Sequence, residues 1–227
     1  MSRSEQEIDH SSHMGPQLVA ALRQKIILHE WVPGQRLSET EVANVYGVSR
    51  QPIREAFIKL REEGLIEVRP QRGSFVRKIS SASVLDARFV REAIEADIVR
   101  IVAQAADPAV VQVLRGLIDQ QQAAADQPNG DFMAIDDQFH RALAQAAGHD
   151  HAWETVEGMK SQLDRVRHLS TEHFPRQKVI DEHRVIVDAI AAGDAVAAEA
   201  AMRHHLRGII SDLPAIRDRA PEFFELG

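Results

Sequence analysis

One stretch limits the folds open to this chain more than any other, because its hydrophobic period changes within a single short run. It runs from Ser38 to Gly73 and reads SETEVANVYGVSRQPIREAFIKLREEGLIEVRPQRG. Ser38 followed three residues later by Glu41 has capping-box spacing, in which hydroxyl and carboxylate satisfy two orphan N–H groups at a helix start. A short helix follows, with Val42 and Val45 expected inward, and Gly47 ends it. Ser49 is placed to cap a second helix from about Arg50 to Glu63, whose core stripe is Ile53, Phe57 and Leu60. Pro52 is tolerated there because it falls in the first turn. Two short helices joined by a tight glycine-containing turn form a helix-turn-helix. Arg50, Gln51 and Arg54 lie off the apolar stripe and project from the end that enters a major groove in that motif.

After Gly64 the period drops to that of a strand. Leu65, Ile66 and Val68, then Ser74, Phe75 and Val76, predict two short strands around the basic turn Arg69-Pro70-Gln71-Arg72-Gly73. This is the wing of a winged helix, placed to touch phosphates or a minor groove. A plain surface hairpin is the alternative. Arginines at both the helix start and the wing tip favour DNA as the partner.

Charge separates the two halves of the chain. The 227 residues carry a net charge of −7, yet from Gln17 to Ile79 there are 11 Lys and Arg against 7 Asp and Glu. A basic module is joined to an acidic one, which predicts different partners for each. No cysteine is present, so disulfides and thiolate metal sites are excluded. No apolar run reaches the roughly 18 residues of a membrane span, and the polar N-terminus does not read as a signal peptide. The expectation is a soluble, cytoplasmic protein with no membrane partner.

Taken in order, residues 1–16 are expected to be a disordered polar tail, and His10 and His13 receive no role. Leu18, Leu22, Ile26 and Ile27 mark a first helix ending near Trp31. A winged helix-turn-helix domain is expected over 17–79, and Ser80-Ser81-Ala82-Ser83 is the joint. From 83 to 213 only helical periodicity appears, giving about six helices near 83–105, 108–126, 131–147, 150–170, 176–192 and 194–213. Separators include Asp107-Pro108, Pro128-Asn129-Gly130, Gly148, Phe174-Pro175 and Gly193-Asp194. The fold class is therefore mostly α: a winged helix followed by an all-α antiparallel bundle, with a loosely docked tail over 214–227.

Polar residues recur on apolar rows of that bundle. One row runs Phe132, Asp136, His140, Leu143, Ala147; a second Val179, His183, Ile186, Ile190; a third Ala198, Met202, His205, Ile209. A single inward histidine is usually a hydrogen-bonded core residue. Three of them with one aspartate call for either a buried polar network or a cation, and the cation is favoured. Imidazoles with one carboxylate suit zinc first, with nickel, manganese or iron as alternatives. His149, His151, His168 and His173 are expected at the surface, with His204 one step off its row. A further row, Val84, Ala87, Arg91, Ile94, Ile98, Ile101, turns Arg91 inward. It can pair with Glu95, or offer its fork to the carboxylate of an effector; the second is favoured.

These runs resemble a known family. VSRQPIREAFIKLREEGLIEVRPQRGSFV resembles the winged-helix domain of GntR-type transcriptional regulators. Arg91 to Glu95, Asp136-x-x-Phe139-His140, Glu182-His183 and Met202-Arg203-His204-His205-Leu206 resemble the FCD effector domain of the FadR-like subgroup. The likeness spans nearly everything from Gln17 to Leu213. It implies that Arg50 and Arg54 read bases, that Gln51 and Thr40 support at the backbone, and that Gly73 lets the wing approach a minor groove. With Ser49 and Arg72, these complete the expected DNA-binding set. It also implies Asp136, His140, His183 and His205 as metal ligands. Gly148-His149 stands where such domains often have Gly-Asn, which bears on effector specificity rather than fold.

The resulting expectation is a homodimeric DNA-binding repressor, not an enzyme, governed by a small organic acid bound at a metal-containing pocket through Arg91. Two alternatives are a regulator for which the metal is itself the signal, and a metal-dependent hydrolase with a nucleic-acid module. For the hydrolase, Asp137 is the best spare carboxylate. No phosphate loop or HExxH is present.

Overall fold

A computed structural model describes residues 14–125, 127, 131–173 and 176–225. The expected separators at 128–130 and 174–175, His10 and His13, and the side chain of His173 lie outside the described residues. The chain divides into two compact units, Met1–Ser83 with Arg217–Gly227, and Val84–Ile216.

The first unit contains α1 (Met14–Ile27), β1 (Arg36–Leu37), α2 (Glu39–Tyr46), α3 (Arg50–Glu62), β2 (Ile66–Arg69) and β3 (Gly73–Val76). Helix α1 begins at Met14, inside the stretch expected to be disordered, and stops at Ile27 rather than near Trp31. The Ser38 hydroxyl accepts the Glu41 N–H at 3.3 Å, as capping predicts. Gly47 closes α2 in the left-handed region (φ +64°), a conformation glycine adopts at no steric cost. Leu18, Leu22, Ile26, Ile53, Leu60 and Leu65 are fully buried and form the core. Val45, expected inward, is 61% exposed, so α2 buries Val42 and Ala43 instead. An eight-residue helix turns only about two apolar positions to its neighbour. Arg23 grips Glu63 with both prongs, at 2.7 and 2.6 Å, fixing α1 to the end of α3. The sheet has the order β1-β3-β2, antiparallel throughout.

The chain end packs onto this same unit, contrary to the loose tail expected. Ile79 and Phe224 form a parallel β-bridge, with Ile79 donating to Phe223 at 2.8 Å and Glu225 donating to Ile79 at 3.0 Å. Phe224 is buried. The Phe223 ring meets His29 edge-on at 4.6 Å.

The second unit is wholly helical among its described residues. Its helices are α4 (Ser81–Ala105), α5 (Pro108–Ala125), α6 (Phe132–Ala146), α7 (Asp150–Met159), α8 (Ser161–His173), α9 (Arg176–Ala191) and α10 (Ala195–Arg219). Asp107 and Asp194 cap α5 and α10 through backbone N–H groups at 2.8 and 2.9 Å. Two boundaries differ from expectation. The helix expected over 150–170 breaks at Lys160, whose buried ammonium reaches Asp137 at 2.8 Å and Asp164 at 2.7 Å. Helix α10 runs through Pro214 to Arg219 because Leu213 and Ile216, one turn apart, are both buried. That packing outweighs the backbone hydrogen bond a proline forfeits. The core gathers Val99, Leu114, Phe139, Leu143, Ile186 and Met202 around the polar rows.

Candidate metal centre and nucleic-acid interface

Three imidazoles meet inside the second unit, from α6, α9 and α10. A nitrogen from each of His140, His183 and His205 lies within 4.8 Å of the others, and the first two side chains are fully buried. Asp136 joins them from one turn before His140. Its Oδ1 is 3.7 Å from His183 Nε2, and its Oδ2 is 3.7 Å from His140 Nε2. All four residues expected as ligands therefore converge.

The outer ring atoms decide the chemistry of the inner ones. His205 Nδ1 lies 2.8 Å from Glu182 Oε2 and donates its proton there, because an ionised carboxylate only accepts. Gln121 donates its amide to Asp136 Oδ1 at 3.4 Å, so its carbonyl faces His183 Nδ1, at 2.8 Å, and accepts. His140 Nδ1 lies 2.5 Å from Glu95 Oε2, a close contact rather than an aligned hydrogen bond, since neither atom has a partner of hydrogen-bond geometry among the described residues. With their protons outside, His183 and His205 each turn an Nε2 lone pair inward. These two atoms lie 3.3 Å apart, and among the described residues His140 Nε2 has no hydrogen-bond partner. Such an arrangement repels itself unless a proton or a cation enters. Outer-shell acceptors of this kind are the usual supports of metal-ligating histidines. The donor set fits a divalent ion.

Electrostatics agree. Burial, then the neighbouring His205, press the His183 imidazole well below its ordinary pKa, so it is neutral at pH 7. Burial also lowers His140, against the opposing pull of Glu95. Burial alone would raise Asp136, but the guanidinium of Arg167, followed by the imidazoles, holds it well below the carboxylate range. Phe139 stacks on His183 at 4.0 Å and Trp153 lies parallel to His140 at 6.2 Å, walling the cluster with rings.

In the first unit, Arg50, Gln51 and Arg54 are exposed at the start of α3, with Thr40 exposed on α2. Arg50 makes a loose 3.4 Å ion pair with Glu39, and Gln51 bonds Glu55 at 2.8 Å. Ser49 sits at the helix start without donating or accepting a capping bond. Arg72 and Gly73 are exposed at the hairpin tip, where Gly73 has φ +102° and a side-chain carbon would come within 3.4 Å of Arg36. Arg69 lies over the Phe75 ring at 4.4 Å.

Residues 15–76 match the bacterial regulatory proteins of the gntR family, and residues 86–208 match the FCD domain. The chain belongs to the GntR family. It is 41% identical over 204 residues to an HTH-type transcriptional regulator in an unstable DNA locus of Streptomyces ambofaciens, covering 89% of this chain and 86% of that protein. It is 39% identical over 222 residues to the HTH-type transcriptional repressor RspR of Escherichia coli strain K12, covering 97% of each. The fold is also that of E. coli McbR/YncC, with a TM-score of 0.76 at 16% identity, covering 92% of this chain and 99% of that one. The protein is a transcriptional regulator of this family, and none of its described helices is long and apolar enough to cross a membrane.

Beside the imidazoles of this GntR regulator lies a cavity of about 110 Å³, bordered by Arg88, Arg91, Asp136, Arg167, Glu182 and His205 among others. Arg91 is buried as expected, but its Nε is hydrogen-bonded to Glu95 one turn on. The ion pair with Glu95, the less favoured expectation, is thus present, while Arg91 Nη2 is buried and has no hydrogen-bond partner among the described residues. Arg167 was missed altogether. It bridges Asp136 with Asp137 and Asp164, the latter two at 3.3 and 3.2 Å. Glu182 and Gln121 were not assigned as supports of the histidines. His151 and His204 are at the surface as expected, at 97% and 80% exposure, but His168 is half-buried.

Proposed function

We propose that this regulator is a repressor that binds operator DNA as a homodimer in the cytoplasm, and that a small organic acid controls it from the FCD domain. The observation carrying the reading is the inward convergence of three imidazoles and Asp136, with His183 and His205 fixed by acceptors from other helices and His140 set against Glu95. Asp136, His140, His183 and His205 would hold one divalent ion, zinc first among zinc, nickel, manganese and iron. Such an ion would supply a Lewis-acidic centre able to bind a carboxylate. Arg91 orients that carboxylate through its free Nη2, and the buried walls exclude competing water. The acid then alters operator affinity only through its different affinity for two states of the protein.

For DNA, the exposed Arg50 and Arg54 are placed to read base edges, Thr40, Ser49 and Gln51 to support them at the backbone, and Arg72 with Gly73 to engage the wing side. The Arg50–Glu39 pair is exposed and weak, so releasing it costs less than about 1 kcal/mol.

The hydrolase reading is disfavoured by Asp137. Burial opposes its ionisation, yet Lys160 and then Arg167 keep its pKa low and its oxygens engaged. A general base works best when poised near neutrality and free to approach water.

The test is metal analysis joined to operator binding. Wild type should retain about one ion per chain after zinc saturation and desalting, and His183→Ala should retain none. Wild type without bound metal, and with zinc-independent melting, would reduce the cluster to a buried polar network.

A further inference from the structure

We propose that the cavity selects an acid with two anionic groups, the first directed to the imidazole cluster and Arg91 and the second held by Arg88. The inference rests on the effector reading above and names the class of acid.

Distance along the helices orders the cavity. On α4, Glu95 touches His140, Arg91 lies one turn back, and Arg88 lies about 4.5 Å further along the axis. On α9, Glu182 supports His205, and Lys178 lies about 6 Å towards the helix start. The cavity therefore runs from the imidazoles towards a second group of cations. Five cationic side chains border it against three carboxylates, so its lining has an excess of positive charge.

Most of those cations are already engaged. Arg176 donates to the Ala124 carbonyl at 3.3 Å, Lys178 pairs with Asp212 at 3.6 Å, and Arg167 holds three aspartates. Arg88 and Arg91 each pair with a glutamate one turn on, yet each keeps a further donor. Arg88 Nε and Arg91 Nη2 are both buried and, among the described residues, without hydrogen-bond partners, and the Arg91 side chain is only 3% exposed. Two unpaired guanidinium N–H groups, one helical turn apart on one wall, are spaced for two anionic groups on one molecule. Glu92 does not neutralise Arg88 fully, because the same carboxylate also receives Arg203 at 3.2 Å and Arg207 at 2.9 Å. Three guanidiniums, Arg88, Arg203 and Arg207, share two carboxylates, Glu92 and Glu199, which leaves a surplus charge for a ligand. The shared chemistry is a second anionic group, either carboxylate or phosphate-like.

Calorimetric titration of the zinc-loaded full chain with propionate, succinate and 3-phosphonopropionate decides the matter, since the three share one spacer. Wild type should bind at least one dianion about 10- to 100-fold more tightly than propionate, the range of a charge-assisted hydrogen bond. Arg88→Gln should erase that preference while leaving propionate affinity within about twofold. Its fold is protected because Glu92 keeps Arg203 and Arg207, and an unchanged melting curve checks this. The stronger of the two dianions names the second group. Equal binding of all three acids to wild type, or a preference that survives Arg88→Gln, overturns the inference. If propionate binds and Arg91→Gln abolishes it, yet no dianion is preferred, only this inference falls. If none of the acids binds, the effector reading falls with it.

Discussion

Replacing Arg167 by leucine should produce a stability loss that zinc repairs. The side chain faces three carboxylates, but two of them, Asp137 and Asp164, keep the ammonium of Lys160 at 2.8 and 2.7 Å. Asp136 keeps only the 3.4 Å amide of Gln121 as a hydrogen-bond donor among the described residues, and it is fully buried. Breaking a buried pair by removing one partner costs about 3–5 kcal/mol. Protonation of Asp136 sets a ceiling on that cost. From an ordinary aspartate value of 3.8, taking up a proton at pH 7 costs about 4 kcal/mol, and the ceiling falls by about 1.4 kcal/mol per pH unit on acidification. For a chain of this length the loss corresponds to roughly 6–16 °C in melting temperature. Trp153 is buried in the helical unit, so its fluorescence in a Trp31→Phe background follows that unit alone. Without metal the variant should melt far below its parent, and less so at pH 5 than at pH 7. With zinc opposite Asp136, the deficit should fall by more than half. An equal deficit with and without zinc would falsify the view that Arg167 stands in for a cation.

Glu92 is held at about 2 by Arg207 against the opposing effect of burial, with Arg203 and Arg88 adding to it. A depressed carboxylate contributes stability above its unfolded pKa of 4.5 and loses it as pH falls towards 2; acid titration of Glu92→Gln should therefore be flatter in that window. Phe224→Ala should cost about 3 kcal/mol in the winged-helix unit, read by Trp31 fluorescence, because the buried ring secures the bridge to Ile79. Arg50→Ala and Arg54→Ala should each lose about 1–3 kcal/mol on the cognate operator and relax base preference, measured by fluorescence anisotropy. Arg72→Ala should instead weaken all sequences evenly and flatten the salt dependence.

The winged helix was legible because its signals are local. Ser38, Gly47 and the shift of period after Gly64 each act within four residues of the structure they specify. Val45 shows the limit, since an eight-residue helix fits two registers of burial almost equally well and only α3 decides between them. Where the structure departs from the sequence reading, a distant partner is responsible. Phe224 is buried by Ile79, far away in the chain, and Pro214 is carried by the packing of Leu213 and Ile216. Lys160 breaks a helix because two aspartates receive its ammonium, and Asp137 comes from α6. That break also hid Arg167, for helical phase cannot be carried across a kink whose position is unknown.

The imidazole cluster makes the same division within a single site. Row periodicity shows that Asp136, His140, His183 and His205 turn inward, because that depends only on 3.6 residues per turn. It cannot show which ring nitrogen leads, and the chemistry depends on that. The nitrogen is selected by Gln121 on α5 for His183 and by Glu182 on α9 for His205, while Glu95 on α4 lies against the outer nitrogen of His140. Each selector sits on a helix other than that of its histidine. Glu182 and His183 are adjacent in sequence, yet about 100° apart around their helix. One therefore enters the cluster while the other turns to the neighbouring helix and fixes His205. Residue identity supplies the ligands, and the packing of five helices sets which ring nitrogens face one another.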